Sequence, residues 1–384
     1  MTTEIITTAE DFTALADDWD ELLRSSCRPT PFLSHEWLSN WWRVFGSNRR
    51  LLIIALRENG RLVGIAPLCI DRAGVQRTVQ FIGHRHSDYT DFIIKDGPQK
   101  QAVTRALIDS LRNQAGWDAC YLNELPENSS LLSVKSYLGS QARIRPVALC
   151  PRVSLKSDPR ELEANISKNL RQDVSRKIRK AQRERGLVFQ AFQELCGIDQ
   201  ARVLEEVRLL HIERRASLGG TSMYSDSDEW KFMQSVAEGF SRRKWLCLTT
   251  LHLDGQLAAY IFSVSYQDTV YFIHTGFKDV FSPLSPGKML FHLSILDAAA
   301  KGYSWFDFGR EVEAYKTKWT GVAGQNYLVE LFAPRLASRL RVAAHSRLRP
   351  ALGGIPGLGA AGKIIKNRLR PLRVPESSGG LVHE

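Results

Sequence analysis

Four side chains that can exchange protons lie close together near the end of the chain. Asp307 lies in the sequence FDF, and Glu313, Tyr315 and Lys316 follow it. Carboxylates, phenols and amines serve as general acids and bases, so this segment is predicted to hold an acid–base site. Alternation with aromatic residues predicts that Asp307 is buried, and a buried carboxylate is costly unless it meets a cation. A structural ion pair with Arg310 is therefore the alternative role for Asp307, and packing is the alternative for Tyr315.

A second cluster has the composition of a phosphate site. Ser285, Gly287 and Lys288 belong to the sequence SPGK, which leads into a predicted helix at 289–301. The first turn of a helix presents backbone N–H groups without partners, and small residues there let a phosphate approach. We predict that these three residues bind phosphate. The alternative is a Pro-Gly segment that only begins the helix.

The segment KNLRQDVSRKIRKAQRER, residues 168–185, contains eight basic residues. Its apolar positions recur with helical spacing, at Ile166, Leu170, Val174, Ile178 and Ala181. One face is therefore predicted to pack on the protein. Arg176 and Lys177, with their basic neighbours, are predicted to hold a phosphate-bearing ligand, and a solvated basic face is the alternative.

The sequence HRHSDYTD, residues 84–91, is richer in polar functional groups than a simple connection requires. Its His-x-His pattern with one aspartate is an incomplete metal-ligand set, so no metal is predicted. Asp88 and Tyr89 are instead predicted to contact substrate in a cleft. His211 and Arg215, on a predicted helix beside the sequence SLGGTS, are predicted to line the same cleft, although an exposed helix surface explains them equally well.

The overall composition is that of a folded protein. The chain has 384 residues, 43% apolar and 24% charged, with a formal net charge of +11. This composition predicts one or two packed cores and favours anionic partners. The six cysteines lie far apart without a CxxC pair, which argues against a zinc module or a disulfide scaffold. The sequence shows no export signal and no membrane span, so we expect a cytoplasmic location.

Much of the positive charge belongs to the end of the chain. Residues 336–384 contain nine basic and two acidic side chains, a net of +7, and are rich in glycine and proline. Such a segment buries little surface, so a flexible solvated tail is predicted. Weak contact with anionic lipid is the alternative, and no specific nucleic-acid partner is expected.

An order of elements occurs twice along the chain. Residues 51–70 and 246–265 are predicted β-hairpins that turn at Asn59-Gly60 and Asp254-Gly255. Each is followed by a predicted helix, a glycine, an aromatic residue and a strand. This repetition predicts an α+β fold of two tandem modules with mixed central sheets flanked by helices, at 1–150 and 151–335, followed by the tail at 336–384.

This order of elements is similar to the GNAT (acyl-CoA N-acyltransferase) fold, and its duplication resembles the tandem arrangement of FemAB-like peptidyl transferases. Local motifs resemble the CelD/BcsL-like acetyltransferase family, from about residue 10 to 332. They are PFLSHEW at 31–37, APL at 66–68, FIG at 81–83, SDY at 87–89, the basic helix, SPG at 285–287, FDF at 306–308, EAYK at 313–316, and Trp319. The family tends to have Arg-Gly-Asp-Glu after the FDF strand, whereas this chain has Arg-Glu-Val-Glu at 310–313.

The resemblance implies an acyltransferase that takes an acetyl or other acyl group from acyl-CoA, without a metal. The acceptor it implies is an amine or hydroxyl of a sugar, cell-envelope or exopolysaccharide precursor. The usual GNAT phosphate loop, Gln/Arg-x-x-Gly-x-Gly/Ala, is absent, so this motif does not support the use of CoA. Tyr315 is predicted to protonate a leaving thiolate, with packing as its alternative role. No GxSxG motif and no partnered cysteine is present, which favours direct attack over an acyl-enzyme. The alternatives are a FemAB-like ligase that uses aminoacyl-tRNA and a non-catalytic scaffold for polysaccharide synthesis.

Overall fold

The computed structural model describes residues 1–72, 76–139, 142–155 and 167–333, together with residue 338. The strands are β1 (Thr2–Ile6), β2 (Arg49–Glu58), β3 (Arg61–Asp71), β4 (Thr78–Phe81), β5 (Ile93–Ile94), β6 (Ala119–Pro126), β7 (Arg143–Ser154), β8 (Val188–Phe192), β9 (Leu246–Leu253), β10 (Gln256–Tyr266), β11 (Thr269–Phe277), β12 (Trp305–Asp307) and β13 (Ala323–Phe332). The α-helices are α1 (Ala9–Ala14), α2 (Ala16–Arg24), α3 (His35–Phe45), α4 (Lys100–Asn113), α5 (Ser130–Ser133), α6 (Lys168–Glu184), α7 (Gly197–Ser217), α8 (Ser227–Arg242) and α9 (Pro286–Ala300). Apart from residue 338, the predicted basic tail lies outside the described residues, as does Ile166 of the basic helix.

Both predicted hairpins are present. Asn59 and Gly60 connect β2 to β3 with φ of 51° and 81°, and Asp254 and Gly255 connect β9 to β10 with φ of 52° and 72°. These positive φ values are the reason that Asn-Gly and Asp-Gly pairs favour a two-residue turn. The antiparallel pairing of β2 with β3 and of β9 with β10 follows from these turns.

The strands form one sheet in which the two halves of the chain exchange their last strands. The spatial order is β1-β2-β3-β4-β6-β13-β7-β12-β11-β10-β9-β8, and β5 pairs with β3. β13, at the end of the second half, lies between β6 and β7, while β7, at the end of the first half, pairs with β12. A boundary near residue 150 therefore falls inside β7, and each half completes the sheet of the other.

Each half contains one parallel strand pair, and the two pairs differ in what lies beyond them. β11 runs beside β12 from Thr269 to Tyr271, after which β12 ends and β11 continues to Phe277. In the first half, β4 pairs with β6 only at Thr78 and Val79, and the chain after β4 returns along β6, where the amide of Thr90 donates to the carbonyl of Glu124 at 3.0 Å. In the second half, β11 and β12 therefore part around a space. In the first half, the chain that follows β4 lies along β6 at the corresponding position.

Aromatic packing joins the two halves. Trp37 of α3 lies against Phe232 of α8 with ring centroids 5.1 Å apart, and Phe45 lies 5.7 Å from the same ring. The N-terminus of α3 is fixed by Ser34, whose Oγ accepts from the amide of Trp37 at 3.1 Å. Before it, α1 and α2 are separated at Leu15. None of the helices in the described ranges has the length and apolar character needed to cross a membrane.

Candidate functional site

A cavity of about 780 Å³ opens where β11 and β12 part. β11 contributes residues 272–277, the start of α9 contributes 285–288, and the segment after β12 contributes much of 308–319. The first half adds Trp37, Arg85, His86 and Asp88, and α7 adds His211, Arg214 and Arg215. The structure therefore brings together residues from both halves that the sequence assigned to separate predicted clusters.

The start of α9 forms one end of the cavity. Ser285 has φ of 56° and ψ of 55°, a left-handed conformation, and its carbonyl accepts from the amides of Lys288 at 3.0 Å and Met289 at 3.2 Å. A β-carbon added to Gly287 would meet only Phe277, at an ordinary contact of 3.6 Å. Gly287 therefore faces open space in the cavity, and its N–H belongs to the first helical turn, where backbone donors are available to ligands.

Of the two cations on α6 that were predicted to bind a ligand, Lys177 lies at the start of α9. Lys177 Nζ donates to Ser285 Oγ at 2.8 Å and lies 3.2 Å from Asp173 Oδ2. Arg176 also pairs with Asp173, but its side chain is 74% exposed and does not line the cavity. Ser285, Gly287 and Lys288 therefore line the cavity, and Lys177 lies beside them through its bond to Ser285; their binding of phosphate stays a prediction.

The cavity is basic, with seven lysine or arginine residues and three aspartate or glutamate residues among those that line it. Within the ranges that the structure describes, Arg215, Lys288 and Lys318 form no ion pair with a carboxylate. Phenylalanines 272, 277, 291 and 308 supply apolar walls. A ligand that combines phosphates with a less polar portion fits this distribution of charge.

Two of the predicted acid–base residues, Tyr315 and Lys316, lie in the segment after β12 and make different contacts. Tyr315 lines the cavity and packs on Phe291 with ring centroids 5.5 Å apart. Burial, reinforced by Glu313, raises the pKa of Tyr315, so its phenol keeps its proton at neutral pH. Lys316 is 4% exposed, and its Nζ donates to the carbonyl of Arg310 at 2.9 Å and lies 3.3 Å from Glu313 Oε2. Both residues line the cavity, but the ammonium group of Lys316 is bonded within the loop.

The predicted ion pair of Asp307 with Arg310 is wrong, while the acid–base role predicted for Asp307 stays a prediction. Asp307 is 4% exposed and is not among the residues that line the cavity. It has no ion pair with Arg310; it accepts from the Tyr89 hydroxyl at 2.8 and 2.9 Å and from the amide of Gly309 at 2.8 Å. Burial raises its pKa, against the opposing effect of these donors. Asp307 and Tyr89 thus form a buried pair, and neither side chain lines the cavity.

Arg310 instead connects the two halves through Asp88. Its Nε lies 3.1 Å from Asp88 Oδ1, and its Nη1 lies 3.4 Å from Glu124 Oε1. Asn326 of β13 donates to Glu124 Oε2 at 3.0 Å and to the backbone carbonyl of Asp88 at 2.8 Å. Asp88 and Arg310 are the residues of this network that line the cavity, and the predicted contact of Asp88 with substrate stays a prediction.

The other polar residues of the 84–91 loop support the packing between helices. His86 accepts from Trp41 Nε1 at 2.8 Å and donates to Glu229 at 2.8 Å. His84 bonds to the carbonyl of Phe81 at 3.0 Å, and burial lowers its pKa to about 3. Among the residues described, no group of three or more His, Cys, Asp or Glu side chains is arranged to hold a metal ion.

A polar network that the sequence did not reveal lies beside His211. His211 Nδ1 bonds to Ser222 Oγ at 2.6 Å, while His274 of β11 bonds to the hydroxyls of Tyr224 and Tyr260. Burial, followed by Arg215, lowers the pKa of His211 to about 4, so its imidazole is neutral at pH 7. His274 was missed because a single histidine within a β-rich run gives no sequence signal of this pairing.

Comparison with known proteins identifies the type of fold. Residues 168–317, from the start of α6 to the segment after β12, match a family model described as an acetyltransferase (GNAT) domain. The fold is GNAT-like. A crystal structure of FemX superposes with a TM-score of 0.63 at 10% identity, over 88% of this chain and 98% of that chain. No curated protein sequence matches this chain.

Two further solved structures share the GNAT-like arrangement. The C-terminal domain of a putative lysylphosphatidylglycerol synthetase from Agrobacterium fabrum has a TM-score of 0.54 at 14% identity, over 88% of this chain and 96% of that chain. L-PGS from Bacillus licheniformis has a TM-score of 0.53 at 14% identity, over 85% of this chain and 94% of that chain. At these identities the likeness establishes the fold alone, and the chemistry must be argued from the cavity.

The loop after β12 has a residue other than glycine in a backbone conformation that favours glycine. Glu311 stands where the CelD/BcsL-like family tends to have glycine, and it has φ of 74°. A left-handed conformation costs roughly 1–2 kcal/mol for a residue other than glycine. The surrounding network, including the bond from Lys316 to the carbonyl of Arg310, offsets that cost.

Proposed function

We propose that this protein is an acyltransferase that moves an acetyl or other acyl group from acyl-CoA to an amine or hydroxyl of a sugar, cell-envelope or exopolysaccharide precursor. The observation that carries the proposal is the basic cavity between the parted strands β11 and β12, which begins at the first turn of α9. Residues 168–317, which match the acetyltransferase (GNAT) model, contain most of its walls. The identity of the acceptor rests on the CelD/BcsL-like resemblance.

In this proposal the phosphates of the donor bind where α9 begins. The amide of Gly287 and the ammonium group of Lys288, which line the cavity, supply the donors and the charge, and Lys177, bonded to Ser285, adds positive charge beside them. Charge-assisted hydrogen bonds of this kind contribute about 1.5–3 kcal/mol each. The acyl thioester then extends along β11 toward Tyr315, past the phenylalanine side chains that line the cavity.

The transfer itself is a direct attack on the thioester carbonyl. The cysteines do not supply a covalent intermediate, because none of the six lines the cavity and burial raises the pKa of Cys69 to about 12 and that of Cys120 further. When the C–S bond breaks, the leaving thiolate needs a proton. Tyr315 lines the cavity and keeps its proton at neutral pH, so we assign it the role of general acid.

The acceptor enters from the side of the cavity formed by the first half. Arg85 and Asp88 line the cavity from the first half, whereas Lys288 lines it from the start of α9. This arrangement supports a division of labour in which the second half holds the donor and the first half contributes to the acceptor site.

The first experiment measures donor binding and turnover separately. Acetyl-CoA at about 100 times its Kd should stabilise the protein by about 2.7 kcal/mol, seen as a rise in the melting temperature. Thiol release with amino sugars as acceptors should exceed the release without them. Absence of both effects with acetyl-, butyryl- and decanoyl-CoA would contradict the proposal.

A second candidate donor is aminoacyl-tRNA, as in a FemAB-like ligase. The observation that favours it is the exposed basic face of α6, on which Arg176, Arg179, Lys180 and Arg183 point to solvent. Such a face suits a polyanionic backbone, and the resulting affinity falls steeply with salt. Binding of aminoacyl-tRNA with transfer of its amino acid, in the absence of any CoA effect, would favour this candidate over acyl-CoA.

A further inference from the structure

Asp88 occupies an unusual position for a carboxylate from the first half. It lines the cavity of the second half with 17% of its side chain exposed. Arg310 holds Oδ1 at 3.1 Å, and Asn326 holds the backbone carbonyl at 2.8 Å. The side chain is therefore held by Arg310 and its backbone by Asn326, both from the second half, and the carboxylate still lines the cavity.

The backbone after β12 is shaped to admit this carboxylate. Gly309 has φ of 68°, and a β-carbon added there would lie 2.0 Å from Asp88 Oδ2. No side chain fits between the two residues, so Asp88 Oδ2 lies directly over the Gly309 backbone. An ordinary surface ion pair needs no such space, because its side chains turn outward into solvent.

The groups around Asp88 have opposing effects on its pKa. Arg310 and Lys316 favour its ionised form, whereas burial, Glu124 and Asp307 favour its protonated form. Burial is the largest effect, and the pKa of Asp88 is raised to about 7. A base with a pKa near the working pH combines a useful ionised fraction with a useful proton affinity.

We propose that Asp88 is the general base of the reaction and takes the proton from the acceptor nucleophile. This inference rests on the proposed acyltransferase function and adds a catalytic residue to it. As the acceptor N–H or O–H loses its proton to Asp88 Oδ2, its lone pair forms a bond to the thioester carbon. The C–S bond then breaks, and the thiolate takes the proton of Tyr315. Solvent water returns the proton from Asp88 to Tyr315, which restores both residues.

The other candidate bases of the cavity region are less suited. Asp307 is committed to Tyr89 and Gly309 outside the cavity. Glu313 is 53% exposed and pairs with Lys316. His211 has a pKa lowered to about 4, so it binds a proton weakly at neutral pH. Asp88 is the carboxylate that combines a fixed direction, access to the cavity and a suitable proton affinity.

The test compares Asp88→Asn with Asp228→Asn, the same change at an exposed aspartate of α8 that does not line the cavity. Asparagine keeps the shape of the side chain and an acceptor for Arg310. We expect kcat for acetyl-CoA with glucosamine to fall about 10²–10⁴-fold in Asp88→Asn and to change less than about twofold in Asp228→Asn. The Kd for CoA should stay within about threefold in both variants.

The pH dependence of the native protein gives a readout that does not depend on the folding of a variant. Slow hydrolysis of acetyl-CoA, with water as the acceptor, should rise with pH through a midpoint near 7, and Asp88→Asn should lose this rise. Retained turnover in Asp88→Asn, or a native profile without the rise, would overturn the role of Asp88 and leave the acyltransferase proposal standing. A native protein that neither binds CoA nor releases thiol would overturn both.

Discussion

Replacing Gly287 should separate donor binding from folding. A β-carbon at this position meets only Phe277, at 3.6 Å, so Gly287→Ala is accommodated without a shift of the neighbours. In Gly287→Trp the indole has to extend into the cavity at the first turn of α9, where the phosphates are proposed to bind. Loss of two charge-assisted hydrogen bonds costs at least about 3 kcal/mol, which corresponds to an increase in Kd of about 100-fold.

Titration calorimetry with CoA measures this change, and thermal unfolding shows whether each variant is folded. We expect Gly287→Ala to bind within about threefold of the native protein and Gly287→Trp to bind at least about 100-fold more weakly at an unchanged melting temperature. Equal affinity of Gly287→Trp and the native protein would refute the reasoning, because it would place the donor phosphates away from α9.

Further predictions concern the acid, the buried pair, the loop and pH. Tyr315→Phe should lower kcat about 10²–10⁴-fold without weakening CoA binding, measured by thiol release. Asp307→Ala should lower the free energy of unfolding by about 2–4 kcal/mol, measured in urea, because a buried hydroxyl and a buried amide lose their acceptor. Glu311→Gly should raise the free energy of unfolding by about 1 kcal/mol, because glycine adopts the left-handed conformation of this residue without strain. The free energy of unfolding should fall as the pH is lowered from 6.5 toward about 4, because the imidazole of His211 takes up a proton in this range only in the unfolded state. The fall should be less steep in His211→Asn, which lacks this group.

The parts of the fold that were predictable depend on local chemistry. Asn59-Gly60 and Asp254-Gly255 specify their turns by the φ values they tolerate, and Ser34 specifies the start of α3 by capping it. The repeated order of hairpin, helix and strand then indicated two copies of one module. Each of these signals lies within a few residues in sequence, so it can be read without knowing the partner.

The exchange of strands was not predictable, because it depends on pairing between distant segments. β13 lies between β6 and β7 by backbone hydrogen bonds that any strand of suitable length can make. The same reason explains the error at Asp307, whose partner Tyr89 is 218 residues away, while the nearby Arg310 turns to Asp88. Sequence spacing favoured the near cation, but the sheet geometry brings the distant phenol closer.

The direction in which each side chain of α6 points was also not predictable from the sequence. Arg176 and Lys177 are neighbours in the chain but differ by about 100° around the helix axis. The packing of α6 beside the start of α9 turns Lys177 to Ser285 and leaves Arg176 in solvent. The basic cluster was therefore predicted as a group, and only the position of the neighbouring helix selects the cation that reaches the site.

The most direct test of the proposed function is a crystal structure of the protein soaked with acetyl-CoA. The account predicts pyrophosphate oxygens within hydrogen-bond distance of the Gly287 amide and of Lys177 or Lys288, with the thioester between β11 and Tyr315. Coenzyme bound elsewhere, with side chains closing the space between β11 and β12, would contradict it.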